Sequence, residues 1–364
     1  MNIVLTGPMG SGKTSIGRLL AKKLSYQFID TDNLIETEAG INISEFFSRY
    51  GESAFRKKEE EIISLVTKKD KCVIATGGGV VLNPLNMRRL RLNGMIINLQ
   101  ASIITLKKRV SDIQERPLLK DGNVEEQLVK YVTGRSEQYK NNDFSINTDQ
   151  RSIEEIVEQI QGLLNLPVIR ICASVAGNNP EMQIKKANSS GASYIEFRLD
   201  LIPNLDINHL LSICALPVII TDRKNIDNLI GAIQQHCDYI DVDISDQQKE
   251  QIISEAKKYH CKVIVSTHDF EKTPNDFPII QSGFEIIKIA SMIHSKSDAY
   301  RLLGLLDKRK NLILIGMGRY ARYVRLIAPI MGSFLTYASV SDQTGPGQMN
   351  IEEVINCYKM MGLK

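Results

Sequence analysis

The sequence predicts two α/β domains in one chain: an open parallel sheet with helices, followed by a barrel of eight βα units. Three observations lead to this prediction. The chain has 364 residues, whereas single hydrophobic cores stop growing at roughly 250 to 300 residues. Short apolar runs alternate with helical stretches along the chain, as in parallel sheets. A glycine-rich loop follows the first run, and eight further runs recur at similar spacing in the second half.

The first half alternates predicted strands and helices. The helix after the glycine-rich loop places Ile16, Leu19 and Leu20 on one face. Strands are predicted at residues 2–6, 26–29, 72–76 and 95–99, with a last helix at 152–164. A turn follows at Asn165 and Pro167, because a proline disfavours helix in the residue before it. We therefore expect domains at 1–164 and 168–364, joined by a short linker at 165–167.

Eight short apolar runs occupy the second half, and each gap between them is long enough for one helix. Such a series predicts a (β/α)8 TIM barrel, with its active site at the carboxyl ends of the strands. The runs are residues 168–175, 194–201, 217–223, 239–244, 262–270, 285–292, 311–318 and 334–340. GMGRYA (316–321) has the form of a dinucleotide fingerprint, but too few residues follow it to complete a Rossmann half. The seventh barrel strand explains this segment better.

The composition is that of an ordinary globular protein without affinity for polyanions. Hydrophobic residues make up 43% of the chain and charged residues 24%, and the formal net charge is only +3. We therefore expect no nucleic-acid partner. No apolar run reaches the roughly 20 residues of a membrane helix, and no cleavable signal is expected before the first strand. Six scattered cysteines without a CxxC pair suit a reducing cytoplasm, so the expected location is cytoplasmic.

The glycine-rich loop GPMGSGKT (7–14) matches the P-loop pattern GxxxxGK[ST], with the required strand before it and helix after it. Backbone N–H groups of such a loop approach phosphates, the lysine reaches the β and γ oxygens, and the threonine can hold Mg²⁺. The alternative is a glycine turn with a surface lysine. The predicted nucleotide-binding residues are Gly10, Ser11, Gly12, Lys13, Thr14 and Ser15.

Two stretches near the P-loop supply carboxylates and a cation for a second substrate. FIDTD (28–32) contains Asp30 and Asp32, which we expect on one side of an extended segment because they are two residues apart. FRKKE (55–59) offers Arg56 beside Glu59. Together they predict a site for a phosphoryl acceptor.

Three consecutive glycines and two arginines complete this predicted site. Gly77, Gly78 and Gly79 let a ligand lie against bare backbone, which suits a small polyhydroxylated molecule. Arg116 in ERPLL and Arg135 in GRSEQY lie further along the chain, and an arginine over the transferring phosphoryl group would stabilise its charge. Taken singly, either arginine could instead form a surface ion pair.

Residues 1–164 closely resemble the shikimate kinase family, because all these motifs occur in the family's order and approximate spacing. The resemblance implies an N-terminal P-loop kinase-like domain that uses ATP and Mg²⁺. It implies that Lys13 and Arg116 contact ATP phosphates, that Thr14 and Asp30 serve the metal, and that Asp32 orients the attacking hydroxyl. The residues implied to hold shikimate are Asp32, Arg56, Gly77, Gly78, Gly79 and Arg135.

Two charged residues in barrel strands are candidates for catalysis. His268 ends the fifth strand, and Lys288 lies within the apolar run of the sixth. A lysine between Ile287 and Ile289 would be desolvated if it pointed inward, which favours the neutral amine that attacks a carbonyl. A neutral imidazole could then move protons. The alternatives are a structural histidine and an outward-facing lysine.

These residues and their neighbours resemble type I 3-dehydroquinate dehydratase over residues 168–364. The resemblance implies that Lys288 forms a Schiff base and that His268 is the general acid and base. It also implies a substrate-binding set: Glu196, Arg198, Arg223, Arg325, Thr344 and Gln348. Where the family commonly has a glutamate after the arginine of strand three and a serine before the PGQ, this chain has Asp227 and Thr344. The usual small residues around Arg325 and an N-terminal hairpin are also missing.

The two resemblances predict a bifunctional enzyme of chorismate and aromatic amino-acid biosynthesis. Its first domain would phosphorylate the 3-hydroxyl of shikimate with MgATP, and its second would dehydrate 3-dehydroquinate to 3-dehydroshikimate without a cofactor. These steps are not consecutive, so a separate shikimate dehydrogenase is expected. A homodimer through the barrel domain is a further expectation. The alternatives are another class I Schiff-base lyase and a catalytically impaired barrel that binds a metabolite.

Overall fold

The computed structural model describes residues 1–111, 124–203, 206–341 and 343–363. The chain divides into two compact units, Met1–Asn165 and Leu166–Lys364. Arg116, which the sequence places among the phosphate-binding residues, lies outside the described residues. No helix in the described part of the chain combines the length and the apolar character needed to cross a bilayer.

The first unit is a five-stranded parallel sheet with the strand order β2-β3-β1-β4-β5. Its strands are β1 (Asn2–Thr6), β2 (Gln27–Asp30), β3 (Cys72–Ala75), β4 (Gly94–Gln100) and β5 (Phe144–Asn147). Strand β5 was not predicted, because FSIN is a short edge strand with a single buried position, Ile146. The predicted N-terminal parallel sheet with helices is confirmed.

Helices cover the sheet of the first unit. They are α1 (Lys13–Leu24), α2 (Thr31–Ala39), α3 (Ile43–Val66), α4 (Pro84–Leu92), α5 (Ile103–Ser111), α6 (Val124–Gly134), α7 (Ser136–Tyr139) and α8 (Ile153–Leu164). Strand β1 is buried along its whole length, as expected for a central parallel strand. Its Leu5 packs with Leu20 of α1 and Ile160 of α8 in one core cluster. This core holds the start of α1, and therefore the P-loop, against the sheet.

The second unit is a parallel barrel, and a strand lies within every one of the eight predicted runs. Strands β6 to β12 pair in chain order, and β13 pairs with β6. The strands are β6 (Ile171–Val175), β7 (Tyr194–Arg198), β8 (Val218–Thr221), β9 (Tyr239–Asp243), β10 (Lys262–Asp269), β11 (Ile286–Met292), β12 (Leu312–Met317) and β13 (Thr336–Ser339), and the short β14 (Met349–Asn350) pairs with the edge of β13. The predicted (β/α)8 TIM barrel is confirmed.

Side chains bridge the seam between β12 and β13, where the strand ladder is interrupted. The Phe334 N–H group donates to Leu312 O at 2.6 Å at the start of the two strands. Further along, Arg325 donates from Nε to Gly316 O at 3.1 Å and from Nη1 to Tyr337 O at 3.3 Å. The guanidinium of Arg325 therefore connects β12 to β13 from within the fold.

Helices follow most of the barrel strands. They are α9 (Pro180–Ser189), α10 (Ile207–Ile213), α11 (Ile226–Gln234), α12 (Lys249–Lys258), α13 (Lys296–Leu303), α14 (Ala321–Ile330) and α15 (Ile351–Met360). The expectation of a helix in every gap is wrong between β10 and β11, which are joined by a loop with a 3-10 turn at Pro278–Gln281. Pro274 and Pro278 interrupt this loop, and proline disrupts the interior of a helix. Phe277 packs against Ile287 and Ile289 of β11 instead.

Candidate active sites

The P-loop joins β1 to α1 in a conformation that glycine makes possible. Gly7 has a φ of 135°, and a Cβ atom there would lie 2.3 Å from Leu99 O, so only a bare Cα fits. Helix α1 begins at Lys13 and carries no acidic residue in its first turn. Its N-terminus can therefore bind an anion through backbone N–H groups and the helix dipole. Gly10, Ser11 and Gly12 lie in this loop, with Ser15 in the first turn of α1.

The predicted lysine and metal ligands lie at the ends of this loop. The Lys13 Nζ donates to Gly7 O at 2.8 Å and to Pro8 O at 2.9 Å, so its amine is folded over the loop. The Thr14 hydroxyl donates to Asp30 Oδ2 at 2.8 Å. Thr14 and Asp30 thus form a pair of oxygen ligands, and Mg²⁺ is commonly held by one or two carboxylates together with phosphate oxygens.

Asp30 and Asp32 take different positions from those expected. The expectation of an extended segment is wrong, because α2 begins at Thr31 directly after β2. Asp30 is the N-cap of α2, and its Oδ1 accepts from the backbone N–H of Asp32 at 3.1 Å. The helical turn separates the two carboxylates, so that Asp30 faces Thr14 whereas Asp32 lies against Gly77.

Arg56, Arg135 and the glycine run form a second cluster beside Asp32. The Arg56 guanidinium rests on Gly79, where an added Cβ would lie 2.5 Å from Arg56 Nη1. The Arg135 Nη1 donates to Gly78 O at 3.1 Å. The fold therefore collects an anionic and two cationic side chains around bare backbone.

Glu59, which the sequence places beside Arg56 in the predicted acceptor site, and Tyr139, which had no predicted role, support this cluster. Glu59 is 1% exposed, and its Oε2 accepts from Arg56 Nη1 at 3.1 Å. Burial raises the pKa of Glu59, and Arg56 opposes this rise. The Tyr139 hydroxyl donates to Gly78 O at 2.8 Å. Burial raises the pKa of Tyr139 to about 12, so this donor stays protonated at neutral pH.

Arg109 of α5 is a further residue that the sequence analysis missed. Its Nη1 donates to Gly10 O at 3.3 Å and to Thr148 Oγ1 at 3.0 Å, and its Nη2 donates to Thr148 O at 2.8 Å. The side chain thereby connects the P-loop to the end of β5. No motif around Arg109 predicts this contact, because its partners Gly10 and Thr148 lie 99 and 39 residues away in the sequence.

In the barrel, Lys288 projects inward from β11 and meets charged groups. Its Nζ lies 2.7 Å from Asp241 Oδ2 and 3.8 Å from Glu196 Oε1. The Nζ is also 4.3 Å from the ring centroid of Tyr337, a cation–π distance. The amine is therefore buried, as expected for an inward-pointing lysine, but it lies beside carboxylates. Side chains alternate along a strand, so Ile287 and Ile289 point away from Lys288 into an outer core cluster.

Asp241 on β9 binds several of these polar groups and was missed by the sequence analysis. Its carboxylate accepts from Lys288 Nζ, from Arg223 Nη2 at 2.8 Å and from Ser266 Oγ at 2.6 Å. Burial alone would raise the pKa of Asp241, but Lys288 and Arg223 together lower it well below its usual range. The available signal was an acidic residue within the apolar run YIDVD, comparable to the lysine in the next run but one.

His268 lies two residues nearer the carboxyl ends of the strands than Lys288. Ser266 is paired with Lys288 in the β10–β11 ladder, and His268 is paired with Ala290. The His268 Nδ1 lies 2.8 Å from Asp243 Oδ2. The two predicted reactive side chains therefore occupy neighbouring strands, each beside a different carboxylate of β9.

A series of hydrogen bonds connects Glu196 to the segment between β13 and β14. Glu196 accepts from Ser174 Oγ and from Thr221 Oγ1, both at 2.9 Å. The Gln348 Nε2 donates to Ser174 Oγ at 3.1 Å, and Gln348 Oε1 accepts from the Thr344 N–H and hydroxyl groups at 2.7 and 3.0 Å. Thr344 and Gln348 thereby hold this segment near Glu196.

The remaining predicted residues differ in how they are paired. Arg198 forms a bidentate pair with Asp200 at 2.9 and 2.8 Å. Arg325 is 3% exposed, and no ion pair to it occurs among the described residues. Burial lowers the pKa of Arg325 to about 10. Asp227, which stands where a glutamate was expected, is exposed on α11.

Comparisons with known proteins match one enzyme family to each unit. A family model described as shikimate kinase matches residues 9–165, and one described as type I 3-dehydroquinase matches residues 171–364. A shikimate kinase from Thermodesulfovibrio yellowstonii is 48% identical over 159 residues, which covers 44% of this chain and 92% of the relative. One from Geobacter sulfurreducens is 45% identical over 159 residues, covering 44% of this chain and 88% of the relative.

Two solved structures are similar to one unit each. Shikimate kinase from Acinetobacter baumannii in complex with shikimate has a TM-score of 0.44 and 33% identity, covering 45% of this chain and 92% of that one. The 3-dehydroquinate dehydratase from Aquifex aeolicus VF5 has a TM-score of 0.47 and 27% identity, covering 53% of this chain and 98% of that one. The chain therefore belongs to two families, the shikimate kinases through its first unit and the type I 3-dehydroquinases through its second, as a fusion of the two enzymes.

Proposed function

We propose that the first unit phosphorylates the 3-hydroxyl of shikimate with MgATP, and that the second unit dehydrates 3-dehydroquinate through an imine on Lys288. The proposed functional boundaries are residues 1–164 and 168–364. The observation that carries the proposal is the clustering, within each unit, of the groups that its reaction needs. Lys288 and His268 lie on adjacent barrel strands, and Asp32 and Arg56 lie on the glycine run beside the P-loop.

In the first unit, the roles follow from charge and position. Arg56 and Arg135 would bind the carboxylate of shikimate, since a guanidinium pairs bidentately with a carboxylate. Asp32 would accept the proton of the 3-hydroxyl of shikimate. The oxygen of that hydroxyl would attack the γ-phosphorus of ATP, and ADP would leave. The P-loop backbone, Lys13 and, as a proposal from sequence, Arg116 would bind the phosphates. The residues proposed to bind nucleotide are Gly10, Ser11, Gly12, Lys13, Thr14, Ser15 and Arg116.

The chemistry of the P-loop donors fits a magnesium ion and a nucleotide phosphate. Gly7 leaves room for backbone approach, and α1 presents N–H donors without a competing acidic residue. Thr14 and Asp30 would hold the ion by their side-chain oxygens. When bound, Mg²⁺ neutralises charge on the phosphate oxygens.

In the barrel, we assign each chemical step to a described side chain. The Lys288 amine gives up a proton to His268 and adds to the substrate ketone. The carbinolamine hydroxyl takes that proton back and leaves as water, which gives an iminium. His268 removes a proton from the carbon beside the iminium, and the hydroxyl on the next carbon leaves as water with a proton that His268 returns. A water molecule then hydrolyses the imine and frees Lys288. The net change is the loss of one water from 3-dehydroquinate.

The surroundings of Arg325 favour a substrate that carries a carboxylate. Its guanidinium is buried, its described hydrogen bonds go to backbone carbonyls, and Glu196 is the acidic group that most favours its charge. A buried cation without an ion pair is costly unless an anion pairs with it. The substrate carboxylate would provide that anion, with Arg198, Arg223, Glu196, Thr344 and Gln348 around the hydroxyl groups.

Reductive trapping tests the barrel reaction. The full chain is mixed with 3-dehydroquinate and borohydride, and the modified peptide is identified by mass. We expect an adduct on Lys288 that is absent from Lys288→Ala, together with turnover when borohydride is omitted. Turnover of a different carbonyl compound alone would indicate another class I lyase. An adduct without turnover would indicate a metabolite-binding barrel.

Shikimate-dependent formation of ADP tests the kinase reaction in the same preparation.

We also propose that the protein works in the cytoplasm, where its six free cysteines would remain reduced. Because a reduction separates the two reactions, we propose that a separate shikimate dehydrogenase acts between them. A homodimer through the barrel unit is proposed from the family resemblance, and sedimentation of the full chain would test it.

A further inference from the structure

We infer that Asp243 is a positioning residue for proton transfer: it holds the His268 ring with a proton on Nδ1 and leaves Nε2 for the substrate. This inference rests on the function proposed for the barrel. Asp243 was not among the residues that the sequence predicted. Its role would be to act through His268 and not to touch the substrate.

The geometry restricts both partners. The Asp243 Oδ2 lies 2.8 Å from His268 Nδ1. The other oxygen, Oδ1, accepts from the Ser245 N–H group at 3.0 Å and from the Ser245 hydroxyl at 2.7 Å. The ring of Phe270 is stacked on the imidazole, with centroids 5.9 Å apart and planes 12° apart. The carboxylate is thus anchored on one side while it accepts from the imidazole on the other.

The chemistry of the pair then determines the tautomer of the ring. An ionised carboxylate only accepts hydrogen bonds, so the nitrogen facing it must carry the proton. Burial would raise the pKa of Asp243, but hydrogen bonds from His268 and Ser245 lower it to about 2, so the carboxylate is ionised at neutral pH. In the neutral ring, Nε2 is therefore the base. Once Nε2 takes a proton, the same carboxylate stabilises the imidazolium.

Strand β9 gives each reactive side chain its own carboxylate. Asp241 and Asp243 are two residues apart on this strand, so their side chains leave on the same face. Asp241 binds Lys288 at 2.7 Å, and Asp243 binds His268. In the β9–β10 ladder Asp243 is paired with Ser266, two residues before His268. Asp241 therefore contacts Ser266, and Asp243 contacts His268, because the members of each pair are offset by the same two residues in the ladder.

Dehydration kinetics of the full chain carrying Asp243→Asn test this inference. The amide has the same shape but no longer requires a proton on Nδ1. We expect kcat to fall by at least roughly 10- to 100-fold, the cost seen when the carboxylate partner of a metal-binding histidine is removed, with KM within about threefold of the original because substrate contacts remain. The matched control is Asp246→Asn, a nearby acidic residue that caps a turn at Gln248. It should leave kcat unchanged.

Two further readouts separate positioning from a general structural role. Nitrogen NMR of the ring should show His268 protonated at Nδ1 in the original chain and a mixture of tautomers in Asp243→Asn. In a His268→Asn background, adding Asp243→Asn should cost no further activity, because the carboxylate acts through the ring. Hydrogen exchange of the barrel peptides at the original rates in every variant would show that the barrel is folded.

The outcomes distinguish this inference from the proposed function. If the original chain does not dehydrate 3-dehydroquinate, the proposed function fails and this inference fails with it. If the original chain is active and Asp243→Asn keeps kcat within twofold, or lowers activity equally with and without His268, the inference alone is wrong.

Discussion

In the first unit bare backbone forms part of the proposed ligand-facing surface, whereas in the second that surface is a cluster of side chains that already bind one another. Gly7 and Gly79 leave space that a methyl group would fill. In the barrel, by contrast, Asp241 is shared between Lys288 and Arg223. The kinase site is thus prepared by the path of the chain. The barrel site is held by ion pairs between its own side chains.

The two sites should therefore be damaged by different kinds of substitution. A backbone cradle is damaged by added volume, because there is no side chain to move away from the new atoms. A buried ion-pair cluster is damaged by removing a charge, because the partner is left in a poorly solvated place. Single substitutions in each unit test this contrast.

The largest effect should come from removing the reactive amines one at a time. Lys13→Ala should lower phosphorylation by on the order of 10³-fold or more while dehydration continues, and Lys288→Ala should do the converse. Steady-state assays of both activities on each full-length variant would measure this. Loss of both activities in either variant would show that folding of the chain, and not chemistry, had been disturbed.

The second effect concerns stability. Asp241→Asn should destabilise the barrel by about 3 to 5 kcal/mol, because Lys288 and Arg223 lose their buried counter-ion. Glu59→Gln should change the stability of the first unit by less than about 1 kcal/mol, because its buried site already disfavours the charged form. Hydrogen exchange read peptide by peptide would report the two units separately. Equal losses in both units would contradict the contrast.

The same two residues predict opposite responses to pH. The pKa of Asp241 is lowered in the fold, so its contribution to stability is present above the unfolded pKa of roughly 4 and is lost as the pH falls below it. The pKa of Glu59 is raised, so its contribution is present below the unfolded value of roughly 4.3 and is lost as the pH rises. Each substitution should remove the corresponding dependence from the hydrogen-exchange profile of its own unit.

The third effect is steric. Gly79→Ala would place a methyl group 2.5 Å from Arg56 Nη1, and the flexible guanidinium would have to move. Because Gly79 has a φ of −94°, alanine is not strained there. We expect KM for shikimate to rise by roughly tenfold with KM for ATP unchanged, which corresponds to about 1.4 kcal/mol. Gly162→Ala, where no atom lies within 4 Å of the added carbon, is the matched control.

The smallest effect should follow from Tyr139→Phe, which removes the hydrogen bond to Gly78 O. A single such bond contributes about 0.5 to 1.5 kcal/mol, so KM for shikimate should rise only a few-fold. The pKa of Tyr139 is about 12, and the hydroxyl therefore remains a donor at every pH used in assays. The ratio of the KM values should be constant between about pH 6 and 9. A ratio that changes over this range would exclude the hydroxyl as the cause.

The sequence was most informative where a motif is contiguous. The P-loop lies in one stretch of eight residues, and its strand and helix flank it directly, so local spacing was enough to predict it. The barrel strands were predicted because each is a separate apolar run. The missing helix between β10 and β11 was not predicted from gap length, although Pro274 and Pro278 were visible signs against it.

The two families, the order of the two units and the residues proposed to react could all be predicted from the sequence. The groups that surround those residues could not, because they come together only when the chain folds. Asp241 and Lys288 are 47 residues apart, and Asp243 and His268 are 25 apart. Parallel pairing of β9, β10 and β11 sets the distances between them, because neighbouring strands bring side chains of matching register onto one face. No local pattern encodes those distances, which is why both carboxylates of β9 escaped prediction.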